Sequence, residues 1–313
     1  MSPVLCCILF VVGIVLVIKG GDIFVDAASW IAKALHIPTF IIGATIVSLA
    51  TTLPEMIVSV IASAQGKNDM AVGNAVGSVT CNTALIMAVA MVAMNILCSR
   101  KKYLTQILLL IAASLVLWVS CLSGQLNIIG SAVLAIIFIL FMTQNVRSAK
   151  SEMDAEEDKE PVEKKQLVKN IVLFVLGAAA IVVGSDLMVD NGSEIATLLG
   201  VPERIIAVTL IAIGTSLPEL VTTITAIVKK ESALSIGNII GANIIDLSLI
   251  LPICSIVSGK PLPVSASSVA IDLPACAIVT LVGMVPIIFR QKASKLQGIF
   301  LLALYAVYLI LVI

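Results

Sequence analysis

The chain has 313 residues, of which 60% are hydrophobic and 12% are charged, and its mean hydropathy is +1.16. Soluble domains carry about 25% charged residues, so this chain has too little polar surface to coat a water-soluble globule. The net charge is zero, with 19 basic and 19 acidic residues. The composition therefore excludes a soluble enzyme, a nucleic-acid-binding protein and a disordered chain. It indicates a multi-pass protein of the cell membrane, embedded in the lipid bilayer.

Ten segments are long and apolar enough to cross a bilayer, which takes about 20 predominantly apolar residues. They predict an all-α polytopic membrane protein with ten transmembrane helices. In chain order, the predicted spans are about 3–19, 38–65, 70–97, 104–122, 126–146, 168–184, 203–228, 232–259, 266–289 and 297–313.

The distribution of basic residues predicts the orientation of these spans. If both termini lie outside, 16 of the 19 Lys and Arg residues fall in inside loops, and only Lys67, Arg204 and Lys260 fall outside. The positive-inside rule favours that arrangement. The acidic stretch 147–167 then becomes a cytoplasmic loop between a first transmembrane repeat at 1–146 and a second at 168–313.

The two halves of the chain repeat each other at an offset of 164 residues. Positions 22–86 align with 186–250 without a gap, and 21 of the 65 pairs are identical. Shared hydrophobicity alone would not place Pro, Glu, Asn and Gly in register. Five predicted spans separate equivalent positions, so the halves enter the membrane in opposite directions. Inverted repeats of this kind are typical of secondary transporters, whose substrate sites lie near the midplane at interrupted helices.

Each repeat has one such interruption, a proline followed directly by a glutamate. Because proline lacks an N–H group, Pro54 and Pro218 each leave a backbone carbonyl four residues earlier without its helical partner. A glutamate inside the bilayer is costly unless a partner neutralises it. Carbonyl, hydroxyl and carboxylate oxygens are the ligands of hard cations such as Ca²⁺. The oxygen-bearing side chains of the two breaks are Thr51, Thr52 and Glu55 in the first repeat, and Thr215, Ser216 and Glu219 in the second.

The next span of each repeat continues the pattern. It carries Gly-Asn-x-x-Gly beginning at Gly73 and Gly237, and small-xxx-small spacing lets helix backbones approach closely. Four residues after Ser78 comes Asn82, and at the equivalent place in the second repeat stands Asp246. A spacing of four keeps such residues on one helix face, so we expect Asn82 and Asp246 to lie toward the glutamates.

The remaining polar residues are interpreted as structural. Acidic residues near the ends of spans 1 and 6 are expected to cap helices or to face the interface. Asp272 is expected at the interface and His36 in a loop. The capping residues in question are Asp22, Asp26, Asp186 and Asp190.

Together these motifs resemble the sodium/calcium exchangers of the calcium/cation antiporter superfamily, in their prokaryotic form. The repeats of that family carry G-T-S-x-P-E and then G-N-x-x-G-S. The second repeat here reads GTSLPEL and GNIIGANIID, and the first reads ATTLPEM and GNAVGSVTCN. The resemblance implies an antiporter that exchanges Na⁺ for Ca²⁺ by alternating access, with spans 1 and 6 moving against the others. It implies no enzyme activity, no cofactor and a functional monomer.

The resemblance also implies roles for individual residues around two central glutamates. Glu55 and Glu219 would bind Ca²⁺ together with Thr51 and Thr215. Sodium would use Thr52, Ser216 and Ser78, with the backbone carbonyls of Ser48 and Ala212. Asn82 and Asp246 match the polar pair at the midplane.

Three departures from the family pattern keep alternatives open. Ala50 and Thr52 replace Gly and Ser, which are mild changes, whereas Ala242 replaces a Ser whose hydroxyl serves a sodium subsite in relatives. An H⁺-coupled Ca²⁺ exchanger of the same fold is therefore the main alternative. A K⁺-dependent exchanger is disfavoured because Glu219 stands where those proteins have Asp. An intramembrane aspartyl protease is disfavoured because Asp246 lies in the wrong sequence context.

Overall fold

The computed structural model describes residues 2–94, 96–97, 100–154, 163–200 and 214–312. Nearly all of these residues are helical, as the sequence predicts. The described helices are α1 (Pro3–Ala34), α2 (Thr39–Thr51), α3 (Leu53–Ala64), α4 (Asn68–Ala93), α5 (Arg100–Ser120), α6 (Ile128–Asp154), α7 (Lys164–Leu198), α8 (Leu217–Val228), α9 (Ser232–Ser258), α10 (Ser268–Arg290) and α11 (Lys295–Val312). Four two-residue strands join them: β1 (Ile96–Leu97), β2 (Gln125–Leu126), β3 (Leu262–Pro263) and β4 (Lys292–Ala293).

Eight of the described helices are long and apolar enough to cross a membrane by themselves. Helices α2 and α3 meet at a bend of 47° and meet the same criteria when taken together, so the described chain has up to nine candidate crossings. Helix α8 is apolar but short, and the predicted span to which it belongs begins at residue 203, whereas residues 201–213 lie outside the described part of the chain. The described chain thus agrees with a polytopic all-α membrane protein.

Two predicted spans end too early. Helix α1 continues to Ala34 and α7 runs from Lys164 to Leu198, so the acidic residues that we expected to cap their ends lie inside long helices. Helix capping by Asp22, Asp26, Asp186 and Asp190 is therefore wrong, whereas the alternative that they face the interface stays a prediction. The Lys-Gly-Gly-Asp sequence at 19–22 looks like the end of a span. However, Gly20 and Gly21 are buried against neighbouring helices, and this tertiary contact keeps the helix intact.

The helices on either side of the predicted central loop are also longer than expected. Helix α6 continues to Asp154 and α7 begins at Lys164, so both ends of stretch 147–167 are helical. The acidic residues at 155–162 lie outside the described residues. His36 does lie in a turn, with a positive φ of 54°.

Helices α1 and α7 form a closely packed pair. A methyl group added at Gly13 would lie 2.8 Å from the carbonyl oxygen of Gly184, so only glycine allows this approach. Farther along, the rings of Phe24 and Phe174 stack with centroids 4.5 Å apart. Close backbone contact through small residues is how helices associate in lipid, where burial of apolar surface gives little driving force.

Helices α2 and α9 are the second closely packed pair, and they bring the two repeats together. A methyl group at Gly43 would collide with the carbonyl of Leu234, and one at Gly237 would collide with the carbonyl of Phe40. At Gly241 it would lie 2.6 Å from the carbonyl oxygen of Ala44. The second small-xxx-small motif therefore serves close packing, as predicted. For the first motif the prediction is wrong, because a methyl group at Gly73 or Gly77 would meet no atom within 4 Å.

Two short antiparallel strand pairs also connect the repeats. Strand β1 pairs with β4, and β2 pairs with β3. Each pair joins a loop of the first half to a loop of the second half. These contacts fix which loops lie at the same end of the helix bundle.

A candidate cation site at the two helix breaks

The predicted interruptions are present in both repeats. In the first, α2 ends at Thr51 and α3 begins at Leu53, so Thr52 alone forms the break. In the second, Thr215 and Ser216 form a turn directly before α8. Proline occupies the first turn of α3 and of α8, where its missing N–H group has no partner to lose.

Each break places its glutamate in the first turn of the following helix. Glu55 lies in the first turn of α3 and Glu219 in the first turn of α8. The N-terminus of a helix carries a partial positive charge, which favours a carboxylate there. Both side chains are nevertheless removed from solvent, with exposed fractions of 1% and 0%.

The carboxylates have few hydrogen-bond partners in the described protein. Thr52 Oγ1 donates to Glu219 Oε1 at 3.2 Å, a contact between the two repeats. The other oxygen of Glu219 and both oxygens of Glu55 are buried without a partner. Glu55 is also near enough to Glu219 and to Asp246 for the three carboxylates to repel one another. Buried carboxylates in this arrangement call for a positive partner.

The polar pair on the neighbouring helices, Asn82 and Asp246, is buried at two π-helical turns. Asn82 begins a π-helical turn in α4, Asn82–Met87, and Asp246 begins another in α9, Asp246–Ile250. The two turns are related by the repeat offset, and π-helical turns inside α-helices are frequent at functional sites. Asn82 Oδ1 and both carboxylate oxygens of Asp246 are buried without partners.

The hydroxyl groups differ more between the repeats than the sequence suggests. Thr51 and Thr52 are both buried, whereas Thr215 is half-buried. Ser216 is fully buried and its Oγ has no partner. In the first repeat Ser48 Oγ donates to the carbonyl of Thr45 at 3.0 Å.

The remaining predicted sodium positions are Ser78 and Ala212. Ser78 is buried in α4, and its counterpart Ala242 is fully buried in α9 without any polar side-chain atom. Ala212 lies outside the described residues.

Sequence reasoning missed the asparagines of the two Gly-Asn motifs as neighbours of the site. Thr51 Oγ1 donates to Asn238 Oδ1 at 3.2 Å, which ties the first break to α9. Asn74 Nδ2 donates to the carbonyl of Glu55 at 3.2 Å and to Ser59 Oγ at 2.9 Å. The sequence contained one sign of this role, because Asn74 and Asn238 occupy matching positions in the two repeats.

The carboxylates do not enclose a metal position by themselves. Among the described residues, no group of three or more His, Cys, Asp or Glu side chains lies close enough together to hold a metal ion. A cation here would also need hydroxyl, amide or backbone oxygens, which suits hard ions such as Ca²⁺ and Na⁺. Among the predicted site residues that the structure describes, those with buried side-chain oxygens that lack a partner are Glu55, Asn82, Ser216, Glu219 and Asp246.

The chain is therefore a multi-pass integral membrane protein in which two repeats bring together acidic residues at interrupted helices. That combination defines the class of secondary transporters. The sequence model of the family described as "Sodium/calcium exchanger protein" matches residues 6–146 and 169–313. The chain belongs to this family, within the calcium/cation antiporter superfamily.

Individual relatives span the whole chain. An uncharacterized membrane protein of Methanocaldococcus jannaschii is 30% identical over 302 residues, which cover 95% of each chain. The sodium/calcium exchanger MaX1 of Methanosarcina acetivorans is 27% identical over 347 residues, covering 97% of each. Among solved structures, the sodium-calcium exchanger NCX_Mj soaked with Na⁺ and Sr²⁺ superposes with a TM-score of 0.84 at 29% identity, over 98% of each chain.

Proposed function

We propose that this protein is an antiporter that exchanges Na⁺ for Ca²⁺ through a site formed by the two helix breaks. The observation that carries the proposal is the burial of Glu55 and Glu219 at matching proline interruptions, with most of their oxygens unpartnered. The protein family and the likeness to NCX_Mj support Ca²⁺ antiport in general. The position of the site is inferred from the buried residues of this chain.

Charge balance explains why such a site exchanges ions instead of letting them leak. With both glutamates ionised, the empty site carries a charge of about −2, which one Ca²⁺ or several Na⁺ would neutralise. An uncompensated pair of charges passes only at great cost through a closed, water-poor state. The protein would therefore change access only when it is loaded, and that coupling makes the exchange obligatory.

Ca²⁺ and Na⁺ would use different sets of the neighbouring oxygen atoms. Thr51 and Thr215 would complete the Ca²⁺ shell beside the glutamates. Thr52, Ser78 and Ser216, together with the carbonyls of Ser48 and Ala212, would serve sodium. Asn82 and Asp246 would lie at the centre of the midplane site. The ions are cargo, so we propose neither a cofactor nor an enzymatic reaction, and we expect one chain to suffice.

A groove beside the first break offers a place for movement. Its volume is about 580 Å³, and it lies between α7 and the junction of α2 with α3. Leu53 and Pro54 line one wall, and Phe174 and Ala178 line the other. Since α1 and α7 pack closely on each other, we propose that they move as a pair across this junction to open and close access to the site.

The strand pairs support a ten-span topology. Because β1 pairs with β4, Leu97 and Lys292 lie on the same side of the membrane, and the chain between them must cross an even number of times. Five described helices that could span lie in this interval: α5, α6, α7, α9 and α10. A sixth crossing is needed between α7 and α9, and α8 lies there.

The same counting holds for the pairing of β2 with β3 and for the contact of Lys33 with Glu231. We therefore propose ten spans in two inverted repeats, 1–146 and 168–313, with 147–167 between them. The positive-inside rule places both termini outside.

An H⁺-coupled exchanger is the second candidate, and one observation favours it. Ala242 is fully buried beside the polar pair and has no hydroxyl, whereas its counterpart Ser78 has one. One fewer oxygen weakens a sodium subsite more than it weakens Ca²⁺ binding at two carboxylates.

Transport by the purified protein in proteoliposomes distinguishes these two functions. We expect ⁴⁵Ca²⁺ uptake to follow an imposed outward Na⁺ gradient and to be unaffected by a pH gradient in the absence of Na⁺. Uptake that follows the pH gradient, with no response to Na⁺, would replace the proposal by the H⁺-coupled exchanger. No Ca²⁺ uptake under either gradient would reject both.

A further inference from the structure

A proline inside α10, Pro286, lines a groove at the surface of the helix bundle. Pro286 has no N–H group, so the carbonyl of Val282 loses its helical partner. The side chain of Gln297, at the start of α11, replaces that partner: its Nε2 donates to the carbonyls of Val282 at 2.9 Å and of Gly283 at 2.8 Å. These two hydrogen bonds fix the orientation of the side-chain amide. Gln297 is 8% exposed, and its Oε1 is buried without a hydrogen-bond partner.

The groove lies between α10 and α11 and has a volume of about 510 Å³. Its walls are mostly apolar, and they include Val282, Leu296 and Phe300. Leu296 and Phe300 are largely exposed on the surface of a membrane protein, so the groove is open toward lipid. A slot of this composition in that position accepts an acyl chain better than any water-soluble ligand.

One end of the groove is strongly basic. Arg290 lines it, Lys292 follows in strand β4, and Lys295 is the first residue of α11; all three side chains are exposed. None of the three forms an ion pair with another residue in the described part of the chain. Strand pairing of Lys292 with Leu97 brings a second basic sequence to this end, the residues Arg100, Lys101 and Lys102. Segments 95–103 and 290–296 contain no acidic residue.

The corresponding position of the other repeat provides an internal comparison. Strands β2 and β4 correspond, as do the starts of α6 and α11, so the equivalents of Arg290, Lys292 and Lys295 are Ser123, Gln125 and Ile128, all uncharged. A groove of about 370 Å³ lies beside Ile128, but between α6 and α9, with Lys260 as its one charged lining residue. A cluster of basic residues therefore adjoins the groove between α10 and α11 and not this second groove.

We propose that the groove between α10 and α11 binds one anionic phospholipid, whose acyl chain fills the apolar slot and whose phosphate contacts Arg290, Lys292 and Lys295. Basic clusters at the membrane boundary bind acidic headgroups, and positive residues concentrate on the inner side. The site is separate from the ion-binding residues, so it does not rest on the proposed transport function.

Native mass spectrometry of the purified, delipidated protein tests this proposal with equal amounts of phosphatidylglycerol and phosphatidylcholine. We expect the wild type to retain phosphatidylglycerol preferentially, by roughly fivefold or more. The triple variant R290Q/K292Q/K295Q should lose that preference. The matched control K164Q/K165Q/K169Q removes three basic residues at the start of α7 and should keep it. An unchanged preference in the first variant, or equal losses in both, would overturn the proposal.

A second variant tests the groove separately from the charges. Ala303 lines the groove and is exposed, so A303F fills the slot without disturbing the buried core. We expect it to lose phosphatidylglycerol retention while all basic residues remain. Neither inorganic phosphate nor the chain-free headgroup glycerophosphoglycerol should displace the lipid from the wild type. Full retention in A303F, or displacement by inorganic phosphate, would show that a surface charge and not a lipid groove is responsible.

Discussion

The two repeats share a backbone plan but differ in charge at matching positions. Both have a proline break, a buried glutamate in the following first turn and a π-helical turn on the next span. Yet Asp246 stands where the first repeat has Asn82, and Ala242 stands where it has Ser78. A symmetric backbone suits a site that must face both sides of the membrane in turn. The side chains that differ between the repeats can then determine which ion is preferred and which of the two access states is more stable.

The ends of the repeats show the same contrast. Lys229 Nζ lies 2.7 Å from Asp26 and 3.6 Å from Asp22, which connects α8 to α1. In the other repeat the equivalent of Lys229 is Gln65, and the equivalents of the two aspartates are Asp186 and Asp190. One end of the bundle thus has an ion pair that the other end lacks the residue to form.

The largest effect is expected where the repeats are identical. Glu55→Gln or Glu219→Gln removes one of the two carboxylates that would neutralise the bound cation, and a buried charge that loses its opposite partner is destabilised by about 3–5 kcal/mol. Since 1.4 kcal/mol is about tenfold, Na⁺-driven ⁴⁵Ca²⁺ uptake should fall by about 100-fold or more in either variant. Glu163→Gln, at an exposed position before α7, is the matched control and should transport normally. Near-normal uptake in either buried variant would contradict the proposed site.

Making the polar pair symmetric should have a smaller effect. Asp246→Asn gives the second repeat the side chain that the first already has. It replaces a carboxyl by an amide, which keeps one carbonyl-type oxygen but cannot ionise. We expect the Ca²⁺ concentration for half-maximal uptake to rise by roughly tenfold, or about 1.4 kcal/mol. A variant as inactive as Glu219→Gln would mean that Asp246, not the glutamate pair, dominates ion binding.

Restoring the missing hydroxyl should change sodium dependence specifically. In Ala242→Ser the added oxygen would lie opposite Ser78, and one hydrogen-bond or ligand contact is worth about 0.5–1.5 kcal/mol. We expect the Na⁺ concentration that drives half-maximal exchange to fall by about threefold, with little change for Ca²⁺. The control Ala242→Gly, which adds no oxygen, should show no such gain. An unchanged Na⁺ dependence in Ala242→Ser would argue that the position does not belong to a sodium subsite.

The smallest effect is expected at the ion pair between α8 and α1. Lys229→Gln makes this end match the Gln65 end, but Asp22 and Asp26 are about half exposed or more, and exposed pairs contribute little. The exchange rate should change by less than about fivefold. Lys230→Gln, one residue along, is the control. Complete loss of transport in Lys229→Gln, with normal transport in Lys230→Gln, would show that this ion pair is essential for transport. It would contradict the expected small effect on the exchange rate.

Much of this structure could be predicted because the residues that the two repeats share include prolines, which interrupt helices, and glycines, which allow helices to pack closely. Pro54 and Pro218 fix the breaks, and Gly237 and Gly241 fix the approach of α2 and α9. Hydrophobicity alone could not find the ends of α1 and α7, where packing keeps polar residues helical. The bridge from Thr51 to Asn238 depends on the relative position of two helices, which no local pattern specifies.

Binding of Ca²⁺ to the purified protein tests the central claim most directly. Equilibrium dialysis with ⁴⁵Ca²⁺ in Na⁺-free buffer measures the site itself, independently of any movement between access states. The account predicts one Ca²⁺ per chain for the wild type, displaced by Na⁺, and no measurable binding in Glu55→Gln or in Glu219→Gln. Full stoichiometric binding that survives in both variants would contradict it.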